Sequence, residues 1–351
     1  MLSPAMHPDS LALAGQASPI SIRGLFRAEA ASIARSTSPC EEFRRLRGII
    51  ARAHEGAAAA LAAGGAVEDY EQARARLADG VLAGVLHIAR CKVFEHSHGS
   101  ALPLAAIAIG GYGRRQLAPA SDLDVLFVLP NRNGDRSCAE MMLTFAIPAI
   151  WDLGLRLDHF LMSEAECREL LNRDLKMRSS YLDARLVWGC PALHNSFLET
   201  QKSLPQAEKA AIVSQLLAES GRRDDAGPAH SASEPNLKSG PGALRDIQCL
   251  RWLTQLRRGR PICGPATLTQ ISAAAKCLSR IRCFLHLQTV RPQDRLTRDL
   301  QAQVARRLGF NFADDETGES EILALVRHHT GIVRKTLRLC QQTEFLAANC
   351  A

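Results

Sequence analysis

The sequence LAAIAIGGYGRRQLAPASDLDVLFVL, residues 104–129, decides the fold of this chain. Its two apolar runs, at 104–109 and 125–129, have the length and composition of β-strands. A turn with three glycines in four positions, opened by Gly110 and Gly111, follows the first run. Glycines in such a turn let backbone N–H groups approach a ligand closely, as phosphate-binding loops require. The stretch therefore predicts two strands joined through a phosphate-binding turn.

Two carboxylates open the second apolar run. Asp122 and Asp124 are two residues apart, so on a strand their side chains point to the same face. Mg²⁺ prefers one or two protein carboxylates and takes its other ligands from substrate phosphates and water. A glycine turn or an aspartate pair alone is often only a solvated turn, but the two together, between strands, favour function. We predict a site for metal-assisted phosphoryl transfer, with Asp122 and Asp124 as its metal ligands.

The composition is that of a globular protein with room for about two domains: 351 residues, 46% hydrophobic and 23% charged. The net charge of +7 is spread over many arginines, which suits a nucleotide or an acidic partner rather than DNA. Aromatic residues make up 5%, which disfavours binding of single-stranded nucleic acid. The eleven cysteines form no CxxC pair, and no apolar run approaches the ~18 residues of a membrane span. We expect reduced thiols, a cytoplasmic location, and neither a membrane nor a nucleic acid as partner.

The residues before the central stretch are predicted to be mostly helical. Residues 1–24 lack the basic start and apolar core of a signal peptide, and we interpret them as a disordered tail. Apolar residues at helical spacing predict one helix that ends at Gly64 and a second over 67–94. His96 and His98 lie in a short polar loop, which is more typical of exposed histidines than of a metal site.

The string GGYGRRQLAPASDLDVLF, residues 110–127, resembles the bacterial PII uridylyltransferases, a branch of the DNA polymerase beta-like nucleotidyltransferases. The resemblance implies an α+β fold, in which a small mixed sheet flanked by helices is followed by an all-helical domain. It implies that Asp122 and Asp124 hold two Mg²⁺ ions. It also implies nucleotide contacts by four residues of the string: Gly110, Gly111, Arg114 and Ser121.

Polymerase beta-like enzymes usually carry a third carboxylate on a later strand, which the alternating residues 155–161 predict here. This segment also resembles the uridylyltransferases, but Arg156 occupies the position that is acidic in many of them. Asp158 lies two residues on, on the same strand face, and is our candidate for the third catalytic carboxylate. The alternative is that Asp158 is only an exposed strand residue. After the strand, Ser163 and Glu166 predict a capping box at the start of a helix.

Residues 175–189, LKMRSSYLDARLVWG, are predicted to continue the helical region, and relatives carry a similar segment. Asp183 and Arg185 within it have two interpretations. They face the nucleotide site, or they form an ion pair on a helix surface, which contributes less than ~1 kcal/mol.

The second informative string, EPNLKSGPGALRD at 234–246, resembles a uridylyltransferase signature almost residue for residue, with Ala243 in place of a glycine. Its glycine–proline turn brings Lys238 and Arg245 next to each other, and Asp246 can orient an arginine. Cations placed in this way can bind a triphosphate, Arg through bidentate hydrogen bonds and Lys as a point charge. The alternative, a rigid connector that opens a helix, explains the glycines and prolines but not the charged residues. We therefore favour nucleotide binding by Lys238, Arg245 and Asp246.

The resemblance extends over about residues 26–342, and it predicts three regions. These are the tail at 1–24, N-terminal helices with the nucleotidyltransferase core at 25–165, and a helical domain of uridylyltransferase or adenylyltransferase type at 166–351. The sequence contains no His-Asp dipeptide. The resemblance therefore implies the transfer module without the family's His-Asp domain, which removes the uridylyl group, and without its glutamine-sensing ACT domains.

The resemblance implies that the chain transfers UMP from UTP to a tyrosine of a PII-type signal protein, in nitrogen regulation. The first alternative is a protein adenylyltransferase that uses ATP and acts on a glutamine-synthetase-like target. The second is a non-catalytic regulator that binds PII or nucleotide. Gln116, Arg156 and Ala243 depart from the family pattern and lean towards the regulator.

Overall fold

The computed structural model describes the following residues: 39–94, 103–130, 135–173, 179, 181–202, 205–225, 233–257, 262–310 and 315–349. The predicted tail at 1–24 and the histidines at 96 and 98 lie outside the described residues. The chain divides into two compact units between residues 202 and 203. Unit 1 comprises the residues up to 117 and those from 121 to 202, and unit 2 comprises 118–120 and the residues from 203 onward.

Unit 1 begins with two long helices, α1 (Pro39–Ala62) and α2 (Val67–Phe94), as the apolar spacing predicts. The first ends two residues before Gly64, whose φ of +99° is the left-handed conformation that commonly ends a helix. Buried side chains of α2 recur at helical spacing and pack against the sheet: Ala78, Val81, Leu82, Val85, Leu86 and Ala89.

The sheet of unit 1 has four strands: β1 (Ala105–Ala108), β2 (Leu123–Leu129), β3 (Leu157–Ser163) and β4 (Arg185–Gly189). Their spatial order is β3-β2-β1-β4. The β1 strand pairs antiparallel with β2 and β4, whereas β2 and β3 run parallel. A single helical turn, α3 (Gly110–Gly113), follows β1. The structure confirms the predicted fold class, a small mixed sheet flanked by helices.

Helices cover both faces of this sheet. Odd-numbered side chains of β2, such as Val125 and Phe127, share a core with α2 and with α4 (Asp135–Asp152). Even-numbered ones, such as Leu126 and Val128, pack in a second core with α5 (Glu164–Arg173) and α6 (Pro191–Lys202). The strands are buried on both faces because successive side chains alternate between the two cores.

The start of α5 confirms the predicted capping box. The Glu166 backbone N–H donates to Ser163 Oγ at 3.2 Å, and the Ser163 N–H donates to Glu166 Oε2 at 2.7 Å. These two bonds satisfy N–H groups that an α-helix leaves unpaired at its start. Because β3 leads directly into α5, the cap also fixes the point where the strand ends.

The prediction of helix over residues 175–189 is wrong at its end, where 185–189 form β4. Three of the five residues are apolar, but so short a run favours neither the helical nor the strand period, so the pairing with β1 decides. Gly189 ends the strand with a φ of +98°, and a Cβ there would lie 1.9 Å from Leu104 O. The predicted boundary between the two domains is at 165/166. Contacts group residues 166–202 with the sheet instead, because β4 is one of its strands.

Unit 2 is helical, as the sequence predicts. Its helices are α7 (Gln206–Asp225), α8 (Leu244–Leu256), α9 (Pro265–Thr289), α10 (Arg298–Arg307) and α11 (Asp315–Asn349). An isolated β-bridge joins Asn236 to Arg295, so the string before α8 pairs with the segment between α9 and α10. Among the described residues, no helix has both the length and the apolar composition needed to cross a membrane.

Candidate active site

The three predicted catalytic carboxylates lie on one face of the sheet in unit 1. Asp124 of β2 and Asp158 of β3 are partners in the parallel register, and partners in adjacent strands point to the same face. Asp122 lies two residues before Asp124, just ahead of β2, and shares that face. Asp122 and Asp158 are exposed, and Asp124 is partly buried. The structure therefore brings the predicted set together at the N-terminal ends of two parallel strands.

The glycine turn lies directly against Asp124. Gly110 has a φ of +56°, and a Cβ built on it would lie 3.2 Å from Asp124 Oδ2. The backbone of the turn is also tied to that residue, because the Ile109 N–H donates to Asp124 O at 3.0 Å. Glycine satisfies both demands of this position, a left-handed backbone and the close approach of a carboxylate. Predicted phosphate contacts and predicted metal ligands are thus neighbours in the structure.

A buried ion pair holds the glycine turn from the side of the core. Arg185 of β4 donates from both Nη atoms to the Asp79 carboxylate of α2, at 2.9 and 3.0 Å. The same guanidinium donates to the backbone oxygens of Gly113 at 3.2 Å and Tyr112 at 3.3 Å. Burial raises the pKa of Tyr112 well above its usual value, and the Asp79 charge acts in the same direction. The pair therefore fixes the backbone of the turn rather than contacting a ligand.

Asp79 is a site residue that was not predicted, and the predicted surface pairing of Arg185 is wrong. Arg185 does not pair with Asp183 on a helix surface, because it lies in a strand and reaches Asp79 instead. One signal was present in the sequence: Asp79 is a carboxylate within the apolar part of α2, where an unpaired charge is costly.

Arg114, a predicted nucleotide contact, has structural partners. Its Nη1 donates to Asp183 Oδ2 at 2.5 Å, and its Nε donates to Gln116 Oε1 at 2.8 Å. The Arg114 and Asp183 side chains are both largely buried. Asp183 thus anchors the residue that ends the glycine turn. Nucleotide binding by Arg114 stays a prediction, as does that by Ser121, which is partly buried beside Asp122.

Arg156 lies where the resemblance leads one to expect a carboxylate. Its Nη1 is 4.0 Å from Asp122 Oδ1, and both side chains are more than half exposed. A surface pair of this kind contributes less than ~1 kcal/mol, so a stronger ligand can displace it. The Leu123 N–H donates to Arg156 O at 2.8 Å, which extends the β2–β3 pairing up to the site.

The donor set fits magnesium by its chemistry. Within the described part of the chain, no group of three or more His, Cys, Asp or Glu side chains is arranged to hold a metal ion. Magnesium does not require such a cage, since it combines one or two carboxylates with substrate phosphates and water. Asp122 and Asp124 supply those carboxylates beside a glycine turn that suits phosphates.

The predicted cations of unit 2, Lys238 and Arg245, are adjacent through their backbones. The Arg245 N–H donates to Lys238 O at 2.9 Å. Asn236 Oδ1 shapes the turn by accepting the N–H groups of Lys238 at 3.0 Å and Ser239 at 2.7 Å. Lys238 and Arg245 are both exposed. The turn therefore presents two neighbouring cations, as its sequence predicts.

Asp246 is buried and orients Arg223 of α7 rather than Arg245. Its Oδ1 accepts from Arg223 Nη2 at 2.6 Å and Nε at 3.0 Å. Its Oδ2 accepts the Gly242 N–H at 2.7 Å, where the backbone has a φ of +72°. These contacts tie the turn to α7. Participation of Asp246 in nucleotide binding stays a prediction.

A second buried network in unit 2 centres on Asp294. Asp294 Oδ1 accepts from Arg282 Nε at 2.6 Å and lies 3.3 Å from His286 Nε2. His286 Nδ1 accepts the Ala120 N–H at 3.2 Å, so Nε2 carries the proton of a neutral ring. Burial lowers the pKa of His286. Burial alone raises the pKa of Asp294, but the His286 hydrogen bond and the Arg282 charge hold it well below its usual range.

The sheet, its glycine turn and the carboxylates across β2 and β3 define a nucleotidyltransferase core, followed by a helical unit. Residues 210–341 match the family model described as GlnD PII-uridylyltransferase. This match and the relatives below support placing the chain with the PII uridylyltransferase family.

Three curated relatives bear the same name, bifunctional uridylyltransferase/uridylyl-removing enzyme. The Azospirillum brasilense protein is 31% identical over 297 residues, which cover 81% of this chain and 31% of the relative. The Phenylobacterium zucineum protein is 36% identical over 223 residues, covering 60% of this chain and 24% of the relative. The Rhodopseudomonas palustris protein is 30% identical over 263 residues, which cover 71% of this chain and 28% of the relative. The chain thus spans about a third or less of the length of these relatives.

Proposed function

We propose that this chain transfers UMP from UTP to a tyrosine hydroxyl of a PII-type signal protein and releases pyrophosphate. The observation that carries the proposal is the shared face of Asp122, Asp124 and Asp158 beside Gly110. The similarity to relatives named uridylyltransferases supports UTP as donor, and the match to the PII-uridylyltransferase model supports PII as acceptor. Nine cysteines of the described residues are free, which agrees with the cytoplasm as the compartment of the reaction.

In this proposal the glycine turn binds the nucleotide phosphates. The backbone N–H groups of Gly110 and Gly111 open a helical turn, so they have no acceptor within it and can donate to phosphate oxygens. Arg156 adds a positive charge on the carboxylate face, since its exposed guanidinium is held only weakly by Asp122. The Asp79–Arg185 pair keeps the turn in place while the ligand binds.

The carboxylates carry the chemistry. Asp122 and Asp124 would hold magnesium, and the bound ion would supply neutralisation of the negative charge on the phosphates. Asp158 accepts the proton of the tyrosine hydroxyl, since it is exposed and lies beside Asp124 in the register. The tyrosine oxygen then bonds to the α-phosphorus, the bond to the β-phosphate oxygen breaks, and pyrophosphate leaves. No cysteine or histidine nucleophile is required.

Unit 2 carries a pair of exposed cations of its own. Lys238 and Arg245 lie on one short turn and present two positive charges to an anionic ligand. A triphosphate matches them in charge, because Arg forms bidentate bonds to phosphate and Lys acts as a point charge.

One observation favours a second candidate, a regulator that binds nucleotide or PII without transfer. Arg156 stands in place of a carboxylate and lies 4.0 Å from Asp122, where it competes with a metal ion for that ligand. The two candidates differ in whether Asp158 restores the missing acidic group.

A matrix of four reactions tests the proposal. The purified chain with Mg²⁺ receives UTP or ATP carrying a labelled α-phosphate, and either a PII-type protein or glutamine synthetase. We expect label only from UTP, only on PII, and none on a PII variant whose acceptor tyrosine is phenylalanine. Label only from ATP on glutamine synthetase would identify an adenylyltransferase. Nucleotide binding without label in any reaction would identify the regulator.

A further inference from the structure

Three exposed side chains in or directly before β3 lie on the face of the carboxylates. They are Arg156, which immediately precedes the strand, and Asp158 and Phe160 within it, at alternate positions. Phe160 is 40% exposed, although burying a phenylalanine side chain stabilises a protein. Its Cα lies ~6.6 Å beyond that of Asp158, at ~3.3 Å per residue. An apolar ring therefore stands one strand step from a proposed catalytic group.

The position of Phe160 separates it from an ordinary surface residue. Its register partner in β2, Leu126, is fully buried, and the next side chain on the same face of β3, Met162, packs against the same core. Phe160 thus lies where the core on this face ends and the carboxylates begin. Single exposed apolar residues are common in proteins. The inference therefore rests on the position of Phe160 beside the carboxylates and not on its exposure.

We infer that Phe160 binds a planar six-membered ring in the active site. The ring is the pyrimidine of the nucleotide or the phenol of the acceptor tyrosine, and the inference rests on the proposed function. Both rings have a flat face and polar edges, and aromatic rings pair favourably by stacking or edge-to-face contact. Phe160 offers the apolar surface. Arg156, directly before the strand, offers a donor to the carbonyl edge of a pyrimidine, and Asp158 offers an acceptor to the hydroxyl of a phenol. Both rings belong to groups that meet at the reacting phosphorus.

Phe160→Leu tests the role of the ring, because it keeps an apolar side chain and removes the aromatic face. Phe160→Tyr keeps the ring and serves as the rescue variant. Trp151→Leu is a matched control, since Trp151 is 53% exposed but lies on α4, against the opposite face of the sheet. For each variant we measure the Kd for UTP by calorimetry, the acceptor KM and kcat in the transfer reaction, and the melting temperature.

We expect Phe160→Leu to weaken one interaction about tenfold and leave the melting temperature within a few degrees of wild type. A raised Kd for UTP with an unchanged acceptor KM identifies the pyrimidine. A raised acceptor KM with an unchanged Kd identifies the phenol. Phe160→Tyr and Trp151→Leu should match wild type in both quantities.

The inference is overturned if Phe160→Leu changes neither quantity, or if Trp151→Leu changes them as much. If wild type transfers UMP normally and Phe160→Leu changes neither the Kd for UTP nor the acceptor KM, only the inference about Phe160 is contradicted. If wild type transfers no UMP but Phe160→Leu binds UTP more weakly than wild type, the proposed function is contradicted and ring binding by Phe160 is supported.

Discussion

Replacing Asp79 by asparagine tests the buried pair that holds the glycine turn. The Asp79 side chain is 8% exposed and that of Arg185 is 21% exposed, and two hydrogen bonds of 2.9 and 3.0 Å join them. Asp79→Asn keeps the shape but removes the negative charge, which leaves Arg185 without its counter-ion. A second cation, Arg115, lies 4.0 Å from the same carboxylate and loses it as well.

Removing one partner of a fully buried ion pair costs about 3–5 kcal/mol. Water reaches part of Arg185, so we expect a smaller loss of about 2–3 kcal/mol in the free energy of unfolding of unit 1. The glycine turn should also loosen, because Arg185 bonds to the Tyr112 and Gly113 oxygens. We therefore expect weaker UTP binding along with the lower stability.

Urea unfolding followed by circular dichroism measures the loss, and calorimetry measures the Kd for UTP. Asp152→Asn, at an exposed position on α4, is the control and should match wild type. The double variant Asp79→Leu with Arg185→Met removes both charges and should recover more than half of the lost stability. An unfolding free energy for Asp79→Asn within ~0.5 kcal/mol of wild type would refute the reasoning.

Three further changes give separate predictions. Asp158→Ala should lower kcat for transfer at least tenfold while the Kd for UTP stays unchanged, because Asp158 acts on the acceptor proton. Unchanged steady-state turnover would mean that Asp158 is only an exposed strand residue. Gly110→Ala should reduce turnover more than Gly64→Ala, since both have a positive φ but only Gly110 lies against Asp124; equal turnover of the two variants would contradict this. Burial and the nearby Arg74 charge lower the pKa of His54 to about 3 in the folded chain. In the unfolded chain His54 keeps its ordinary pKa of ~6.5, so below that pH protonation of His54 favours the unfolded state. Stability should therefore drop by about 2 kcal/mol between pH 7 and pH 5, and urea unfolding of His54→Gln should show a shallower dependence.

The catalytic face was predictable because its information is local. Glycines after an apolar run, and aspartates two apart before another, define a turn and a shared face without reference to the rest of the chain. The capping box at Ser163 and Glu166 is local in the same way, since both partners lie within one helical turn. The adjacency of Lys238 and Arg245 also follows from one short turn.

The contacts that hold the site in place were not predictable, because the residues that form them are distant in sequence. Residues 185–189 become a strand through pairing with β1, about 80 residues earlier, and no local period announces it. Arg185 meets Asp79 across 106 residues, and Arg114 meets Asp183 across 69. A single sequence shows that Asp79 is a charge in an apolar helix, but it does not show which cation satisfies it.

Transfer of labelled UMP to a PII-type protein by carboxylate variants tests the central claim most directly. Wild type, Asp122→Asn, Asp124→Asn and the control Asp152→Asn are incubated with Mg²⁺ and UTP that carries a labelled α-phosphate. We expect labelling by wild type and Asp152→Asn, and a loss of about a thousandfold in both other variants, with their circular dichroism unchanged. Near-wild-type labelling by Asp122→Asn and Asp124→Asn would contradict it.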